Sequence, residues 1–342
     1  MSILHLLGTA GEGGAETYFL DLVRALAGAG EDQVVALRAN PHRQAVLKAL
    51  EVPALVSGFG GPLDILTRPR AAHFARQTEV RLALAWMNRA ARHTPKGPWA
   101  RIGRLGGYYN LKYYKGFDAL VANTEDIADW IVRQGWPAGR VHFIPNFAAA
   151  PEGEDRVDRA SLNTPPGVPL LLSMGRLHEA KAQDVAIEAL TRIPEAVLWI
   201  AGVGPQEARL KAMAQALGVG ERVRFLGWRT DASALYRTAD VCVFPSRYEP
   251  LGNVVIQAWA HGLPVVAAAS QGPMSLIRNG QDGRLVPVDD ADALAEAIVA
   301  VLAAPDQARQ MAERGRARVQ AEFSPEAVVV RWQDLFAQYG AG

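Results

Sequence analysis

The feature of this sequence that most restricts its fold is a series of short, uninterrupted apolar runs separated by segments with helical spacing. Residues 3–7, 170–174 and 241–244 are examples of such runs, and residues 15–27 are an example of a helical segment. Strands that are apolar on both faces are typical of parallel sheets covered by helices on each side. The alternation therefore predicts an α/β fold built from doubly wound parallel sheets.

The length of the chain and one break in the pattern predict two domains. The chain has 342 residues, which is more than one typical α/β domain needs. Residues 148–168 are rich in proline and charge and show little periodicity, which is typical of a linker. Ser324-Pro325-Glu326 predicts the start of a last amphipathic helix. We therefore place one domain at residues 1–150, a second at 151–322 and the last helix at 323–342.

The composition argues against several classes of protein. The formal net charge of +1 gives no indication of nucleic acid binding. The single cysteine, Cys242, lies in an apolar run, so we expect a buried strand residue and no internal disulfide. The N-terminus lacks a basic region with a cleavage site, and no stretch approaches the roughly 18 apolar residues of a membrane span. A cytoplasmic location is therefore expected.

Three glycine-rich turns follow predicted strands, at the position where doubly wound sheets bind ligands. They occupy residues 8–14, 175–176 and 202–205. Glycine allows backbone amides to approach a phosphate, and the N-terminus of the next helix favours an anion, although such turns also serve packing alone. None matches the G-x-G-x-x-G pattern with a suitably placed acidic residue, which argues against an NAD-dependent oxidoreductase.

Arg176 and Lys181 are candidates for binding a diphosphate. Both lie at one predicted strand-to-helix turn. A cation near a helix N-terminus is unfavourable unless an anion is close. An arginine fork and a lysine point charge can together hold a diphosphate. The alternative is that both are solvated surface charges, which often contribute nothing measurable.

Glu249 lies in a polar loop between an apolar strand and a helix that begins near Gly252. The backbone amides of Gly252, Asn253 and Val254 would face the same space and could bind phosphate. The Glu249 carboxylate would repel a phosphate but could accept hydrogen bonds from sugar hydroxyls. Taken alone, this residue would be better explained as a capping acid on a solvated loop.

Together these motifs resemble the bacterial retaining glycosyltransferases of family 4, which have the GT-B fold. The specific matches are Gly175-Arg176 with Lys181-Ala182-Gln183-Asp184, and residues 249–254 through Gln257-Ala258. Gly13-Gly14-Ala15-Glu16 is similar to the family's first acceptor-side loop. The resemblance spans most of the chain. It implies two Rossmann-like domains facing a cleft, with the acceptor bound by the N-terminal domain and the nucleotide sugar by the C-terminal domain. It also implies a last helix that crosses back to the N-terminal domain.

The resemblance implies roles for single residues. Arg176 and Lys181 would bind the donor diphosphate, Glu249 would bind the donor sugar, and these three are the expected catalytic residues. The further donor contacts would be Gly13, Gly14, Gly175, Gly202, Phe225, Leu226, Leu251, Gly252, Asn253, Val254 and Gln257. Transfer would retain the anomeric configuration, because the leaving diphosphate would accept the proton of the acceptor on the same face. Neither a cofactor nor a metal would be needed.

Two positions depart from the family pattern. Gln257 stands where relatives carry a second glutamate, and it is expected to meet the nucleotide ribose. Asn88 follows a predicted strand where many members carry a histidine, which is similar to the lipopolysaccharide-core hexosyltransferases. We expect Glu16, Asn88 and Arg89 to bind the acceptor and His93 to be a surface residue. The predicted partners are a UDP-sugar and a glycan or lipid-linked acceptor such as a lipopolysaccharide core.

Residues 76–115 combine basic and aromatic side chains, with Glu79 as the acidic residue among them. These residues are Arg76, Arg81, Arg89, Arg92, Lys96, Arg101, Arg104, Lys112 and Lys115, interleaved with Trp99, Tyr108, Tyr109, Tyr113 and Tyr114. Such a segment suits an anionic inner-membrane surface or a phosphorylated, lipid-linked acceptor. The alternative is a set of partly buried tyrosines with a solvated basic face. Nothing else in the sequence indicates nucleic acid binding.

Two other functions stay open. A Rossmann-type sugar-nucleotide epimerase is one, and a catalytically silent nucleotide-sugar-binding protein is the other, because Gln257 departs from the pattern. A metal-dependent transferase would need an Asp-x-Asp at a strand end. Asp290-Ala291-Asp292 has this spacing, but it precedes the terminal helices, so we expect it to start a helix.

Overall fold

The computed structural model describes residues 2–11, 13–60, 64–148 and 156–340. The chain divides into two compact units, which are Met1–Asn146 together with Pro325–Gly342, and Phe147–Ser324. The linker predicted at residues 148–168 includes residues 149–155, which lie outside the described residues. None of the described helices is long and apolar enough to cross a membrane.

The described residues of the first unit form a seven-stranded sheet in which every strand runs parallel to its neighbours. Its strands are β1 (Ile3–Leu7), β2 (Gln33–Leu37), β3 (Ala54–Val56), β4 (Leu82–Trp86), β5 (Ala100–Leu105), β6 (Ala119–Ala122) and β7 (Val141–Phe143). Their order is β3-β2-β1-β4-β5-β6-β7. The order reverses between β1 and β4, and such a reversal leaves a crevice at the carboxyl ends of the two strands.

Helices connect the strands of this unit, because parallel neighbours need crossover connections. They are α1 (Gly14–Gly28), α2 (Pro41–Ala49), α3 (Thr67–Gln77), α4 (Met87–His93) and α5 (Glu125–Arg133). Thr124 caps α5, as its position in the sequence predicts, since its side chain accepts a hydrogen bond from the amide of Ile127. Every residue of β1, β2, β4 and β6 is buried, so both faces of the sheet centre are covered.

The second unit has the same plan, with a six-stranded parallel sheet among its described residues. Its strands are β8 (Leu170–Met174), β9 (Val197–Ala201), β10 (Val223–Gly227), β11 (Val241–Phe244), β12 (Val265–Ala268) and β13 (Arg284–Val286). Their order is β10-β9-β8-β11-β12-β13, which reverses between β8 and β11. Cys242 and Phe244 pack into the apolar cluster on one face of this sheet, whereas Val243 packs into the cluster on the other.

Seven described helices cover this second sheet. They are α6 (Gln183–Leu190), α7 (Glu207–Ala216), α8 (Ala232–Thr238), α9 (Asn253–Ala260), α10 (Gln271–Leu276), α11 (Ala291–Ala303) and α12 (Pro305–Arg318). Asp290 caps α11 by accepting a hydrogen bond from the amide of Ala293. The Asp-x-Asp pattern therefore marks a helix start, as predicted, and not a strand end.

The last helix, α13 (Pro325–Gly340), belongs to the first unit although its sequence follows the second. Its apolar face is buried through Val328, Val329, Trp332, Leu335 and Phe336. Polar contacts also hold it, because Gln333 Nε2 donates to Glu31 Oε1 at 3.0 Å and Tyr339 Oη lies 3.0 Å from His142 Nε2. The predicted last helix and its return to the N-terminal part of the chain are confirmed.

Several residues of the basic and aromatic segment are core residues. Trp99 is 5% exposed, Tyr114 is 0% exposed and Arg104 is 3% exposed, so none of these three belongs to a surface. The Arg104 guanidinium lies 5.4 Å from the centre of the Tyr18 ring, and burial lowers its pKa. The expectation that His93 is a surface residue is wrong, since its ring is buried and its Nε2 lies 3.1 Å from the carbonyl oxygen of Gly60.

The turns after β8 and β9 are in direct backbone contact, which requires a glycine at position 202. Gly202 has φ +146°, a region that is essentially restricted to glycine. A Cβ at this position would lie 2.0 Å from the carbonyl oxygen of Gly175. The amide of Gly202 also donates to the carbonyl of Gly227 at 2.8 Å, which extends the sheet contacts beyond the strands.

We predict that Gly202→Ala lowers the free energy of unfolding by more than about 3 kcal/mol, since backbone strain and a backbone collision add. The matched control is Gly218→Ala, which has φ +70° with nothing within 4 Å of the added Cβ. That control carries strain alone and should cost about 1 kcal/mol. Urea unfolding of both variants measures the difference, and equal losses would contradict the predicted collision.

Candidate functional site

The segments that follow β8 and β11 meet where the strand order of the second unit reverses. β8 ends at Met174 and β11 ends at Phe244, and Leu171 and Leu172 pair with Val241 and Cys242. Parallel neighbours end at the same edge of a sheet. The loops that carry Arg176 and Lys181 on one side and Glu249 on the other therefore start side by side.

Lys181 and Glu249 form an ion pair at this edge. Lys181 Nζ contacts Glu249 Oε2, and the two side chains are 26% and 14% exposed. The lysine stem passes Gly175, where an added Cβ would lie 3.8 Å from Lys181 Cδ. Its Nζ is 5.7 Å from the centre of the Phe244 ring. Both charges are thus partly shielded by protein but still reached by solvent.

Backbone hydrogen bonds fix the loop that carries Glu249. The amide of Tyr248 donates to the carbonyl of Ala180 at 3.2 Å, which ties this loop to the one after β8. The carbonyl of Glu249 accepts from the amide of Gly272 at 2.7 Å. The carboxylate of Glu249 is therefore held in place by its own backbone as well as by Lys181.

Arg247 connects three segments around the ion pair. Its guanidinium donates to both carboxylate oxygens of Asp184 on α6, at 3.0 and 3.1 Å, and to the carbonyl of Glu179 at 2.9 Å. It also pairs with Asp289, before α11, at 2.5 Å. Two parallel bonds between an arginine and a carboxylate restrict the geometry more than one bond does. The sequence contained both residues but gave no indication that they pair.

α9 begins directly beyond Glu249 and brings several predicted donor contacts together. Gly252 precedes it with φ +88°, a left-handed conformation that favours glycine. Leu251 is buried, and Asn253 and Val254 are half-buried in the first turn of the helix. The N-terminus of a helix favours an anion, so this turn complements the cation of Lys181.

Arg176 differs from Lys181 in its surroundings. Its side chain is exposed, and within the described part of the chain it engages no carboxylate. The carbonyl of Arg176 accepts from Gln183 Nε2 at 3.3 Å, which fixes its backbone. The structure therefore places a solvated arginine and a paired lysine on the same turn.

The predicted nucleoside contacts lie on other elements. Phe225 and Leu226 are half-buried residues of β10, and Lys211 Nζ is 5.4 Å from the centre of the Phe225 ring. Gln257 is exposed on α9, where its Oε1 accepts a hydrogen bond from Tyr236 Oη at 3.0 Å. Its contact with a ribose stays a prediction.

The predicted acceptor residues lie where the strand order of the first unit reverses. An added Cβ at Gly8, directly after β1, would lie 2.8 Å from Arg89 Cγ, so the turns after β1 and β4 touch. Met87 has φ +64°, an unusual conformation for this residue type and one that often occurs at functional sites. The adjacent Asn88 Oδ1 is buried and has no hydrogen-bond partner among the described residues.

The glycine-rich loop after β1 is held from outside by α2 and its cap. Arg43 donates to the carbonyls of Thr9, at 2.7 Å, and of Gly11. Glu16 Oε1 accepts from Thr9 Oγ1 at 2.7 Å, and the other Glu16 oxygen would lie 2.8 Å from a Cβ at Gly13. Gly14 starts α1 and is exposed. Arg43 was not predicted as a functional residue, because no local pattern reveals a partner that is 34 residues away.

Comparison with known proteins gives two family matches in chain order. Residues 12–149 match the model described as Glycosyltransferase Family 4, and residues 154–318 match the model described as Glycosyl transferases group 1. Over 335 residues the chain is 37% identical to the lipopolysaccharide core biosynthesis glycosyltransferase LpsE of Rhizobium meliloti, covering 95% of this chain and 96% of that protein. LpsD of the same organism, which has the same description, is 32% identical over 98% of each chain.

This chain also matches a solved structure, and at 21% sequence identity the match shows the fold alone. The crystal structure of Anabaena Alr3699/HepE in complex with UDP-glucose gives a TM-score of 0.85 at 21% identity, covering 99% of this chain and 100% of that one. Each of the two units thus has a Rossmann-like fold with a parallel sheet.

We predict that Asp184→Asn destabilises the second unit by about 2 kcal/mol at neutral pH, because Arg247 loses one of its two charged partners and keeps Asp289. Burial by itself raises the pKa of Asp184, but hydrogen bonds and charge from Arg247 and Arg209 outweigh it and lower the pKa below 3.8. A carboxyl whose pKa is lowered in the folded state stabilises the fold at pH values above its ordinary pKa. This stabilisation is lost as the pH falls through the folded-state pKa. The loss should therefore be full at neutral pH and shrink below pH 3.8.

Urea unfolding across this pH range measures the effect. The control is Asp306→Asn, whose partner Arg309 is 68% exposed, so the change should stay within about 0.5 kcal/mol. A loss for Asp184→Asn that grows towards acid pH would contradict the assigned direction.

Proposed function

This chain belongs to the family 4 glycosyltransferases and has their GT-B fold, and from that premise we propose that it transfers a hexose from a UDP-sugar to a lipopolysaccharide-core acceptor with retention of configuration. The observation that carries the proposal is the ion pair of Lys181 and Glu249 beside the start of α9. The cation of Lys181 and the N-terminus of α9 would bind a diphosphate at this sheet edge. The carboxylate of Glu249 would bind sugar hydroxyls at the same edge.

The diphosphate of the donor would bind between Arg176, Lys181 and the first turn of α9. Lys181 is already held beside Gly175, so it needs little reorganisation to meet an anion. Arg176 is solvated and could add two parallel hydrogen bonds. These groups would stabilise the charge that develops on the leaving diphosphate, and such electrostatic stabilisation is commonly the largest contribution to catalysis.

Glu249 would bind the donor sugar. Its backbone is fixed by Gly272, and its carboxylate lies against Lys181. A diphosphate would compete with Glu249 for Lys181, which would make the carboxylate oxygens available to sugar hydroxyls. In the retaining mechanism, the acceptor hydroxyl attacks the anomeric carbon, the bond to the diphosphate breaks, and a diphosphate oxygen takes the hydroxyl proton on the same face. The chain would supply orientation rather than a nucleophile.

The remaining donor contacts are proposed from the resemblance to the family. Phe225 and Leu226 are proposed to border the nucleobase, and Gln257 is proposed to meet the ribose. Gly13 and Gly14 are proposed to bind the donor diphosphate. The transfer is proposed to be independent of metal ions.

The acceptor is proposed to bind at the reversal point of the first unit, through Glu16, Asn88 and Arg89. Asn88 offers a buried oxygen that has no partner in the described ranges of the chain, and a sugar hydroxyl could satisfy it. The names of LpsE and LpsD support a lipopolysaccharide-core acceptor, and the UDP-glucose complex of HepE supports a UDP-sugar donor. A lipid-linked acceptor would bring the enzyme to the inner face of the membrane.

We predict that Arg176→Ala and Lys181→Ala each lower kcat about 100-fold, because each removes charge stabilisation from the leaving diphosphate. Glu249→Gln should raise KM for the sugar nucleotide and also lower kcat. The assay follows hydrolysis of UDP-glucose and UDP-galactose, and transfer to deacylated core oligosaccharide, by proton NMR. The same spectra should show an α-linked product first.

Arg316→Ala is the control, since Arg316 is exposed on α12, which is not one of the segments that directly follow β8 and β11. Its rates should equal those of the wild type. A β-linked product would overturn retention, and unchanged rates in all three site variants would overturn the assignment of the site.

We also propose that exposed cations of residues 76–115 contact an anionic membrane surface. Lys96 and Lys115 are exposed, and each lysine near such a surface contributes about 1 kcal/mol. The wild type should sediment with phosphatidylglycerol vesicles in a salt-sensitive manner, and Lys96→Glu with Lys115→Glu should abolish most of this binding. Lys48→Glu, an exposed change outside the segment, should not. Binding that is insensitive to salt would remove the membrane proposal.

A further inference from the structure

A cavity of about 440 Å³ lies along α5 in the first unit, outside the residues proposed for transfer. Its walls come from the segment after β5 and from one face of α5. The residues that matter here are Tyr108, Tyr109, Asn110, Lys112, Trp130 and Gln134. The volume falls within the range of about 300–1,000 Å³ that is typical of small-molecule sites.

Two aromatic rings form a fixed wall of this cavity. Tyr108 and Trp130 meet edge to face, with centroids 5.4 Å apart and planes at 90°. The Tyr108 hydroxyl is bound to Asp126, which holds the ring in position. Both rings are half-buried. The face of an aromatic ring is electron-rich, so it attracts the C–H groups that a pyranose presents on its less polar side.

The polar groups of the cavity suit hydroxyls rather than phosphates. Asn110 and Gln134 are exposed, and an amide side chain both donates and accepts, as a sugar hydroxyl does. Among the described residues that line the cavity, Lys112 is the one charged side chain, and its Nζ is 5.0 Å from the centre of the Tyr113 ring. A phosphate site would need more cations than this.

One end of the cavity reaches the edge at which the acceptor is proposed to bind. A Cβ at Gly106, directly after β5, would lie 3.9 Å from Tyr109 Oη and 3.6 Å from Asn123 Nδ2. Burial raises the pKa of Tyr109, and the charges of Arg104 and Glu16 act on the same hydroxyl. The other end of the cavity lies at Gln134, which directly follows the last residue of α5. The whole helix α5 is about 13 Å long at 1.5 Å per residue.

We propose that this cavity binds a sugar ring of the acceptor that lies one or more residues away from the hydroxyl that receives the hexose. The identity of the occupant rests on the proposed function. The cavity would select acceptors that carry an inner saccharide of suitable length. Tyr109 would lie between this subsite and the reacting end of the acceptor.

The test is a titration of the full-length protein, without nucleotide sugar, with neutral di- and trisaccharides of glucose, galactose and mannose, followed by saturation-transfer NMR. The wild type should bind at least one of these sugars. Gln134→Ala should weaken that binding about tenfold, the effect of losing one or two hydrogen bonds. Trp130→Leu should weaken it more, whereas Trp130→Phe should recover most of it because the aromatic face is kept.

Gln77→Ala is the matched control, because Gln77 is exposed at the end of α3 in the same unit. It should bind like the wild type. Gln134 is exposed, so its substitution should not disturb folding, and circular dichroism checks this. Equal affinity in Gln134→Ala, Trp130→Leu and the wild type would overturn the proposal. So would binding of none of the sugars, or tighter binding of inorganic phosphate at the same residues.

Donor hydrolysis in the same preparations separates this proposal from the proposed function. Hydrolysis of UDP-sugars needs Lys181 and Glu249 but not this cavity, so Gln134→Ala should hydrolyse the donor at the wild-type rate. Its KM for a long acceptor should rise about tenfold, with little change for a monosaccharide acceptor. A wild type that binds sugars but hydrolyses no donor would overturn the proposed function and leave the subsite intact.

Discussion

The reversal of strand order between β8 and β11 is the constraint on which the second unit's site depends. Residues that are 68 positions apart in the sequence, Lys181 and Glu249, become ion-pair partners because both follow strands that end at the same edge. The close contact between Gly175 and Gly202 extends this edge to the turn after β9. The first unit repeats the constraint between β1 and β4, where it brings Gly8 against Arg89.

The charges at this edge are balanced before any ligand arrives. Partial burial of a lysine or a carboxylate alone would be costly, and the pairing of Lys181 with Glu249 offsets this cost. Arg247 is similarly neutralised by Asp184 and Asp289, so it stabilises the loops without adding a free cation. The solvated Arg176 and the start of α9 then remain to attract an anion. In the proposed function, a diphosphate displaces Glu249 from Lys181 and couples donor binding to recognition of the sugar.

Much of the fold could be predicted from the sequence, because the strands are apolar on both faces and local rules govern caps. The bounds of β1, β8 and β11 agree with the predicted runs, and Thr124 and Asp290 cap helices as expected. The short edge strands β3, β7 and β13 were not predicted, since each has three residues and too little apolar pattern to stand out. Burial of Arg104 and His93 was also missed, because a charged or polar residue is buried only where tertiary partners satisfy it. The pairing of Arg247 with Asp184 was also not predicted, because it joins residues that are 63 positions apart.

We propose that the carboxyl edge of β8 and β11 binds the donor diphosphate, and a crystal structure of the complex with UDP would test this binding. We expect phosphate oxygens within hydrogen-bond distance of Lys181 Nζ and the Arg176 guanidinium, near the first turn of α9. The second unit also has a cavity before the starts of β11 and β12, and Arg237, Asp240 and Arg309 are among the residues that line it. A diphosphate bound in that cavity, with Lys181 still paired to Glu249, would contradict donor binding at the carboxyl edge of β8 and β11.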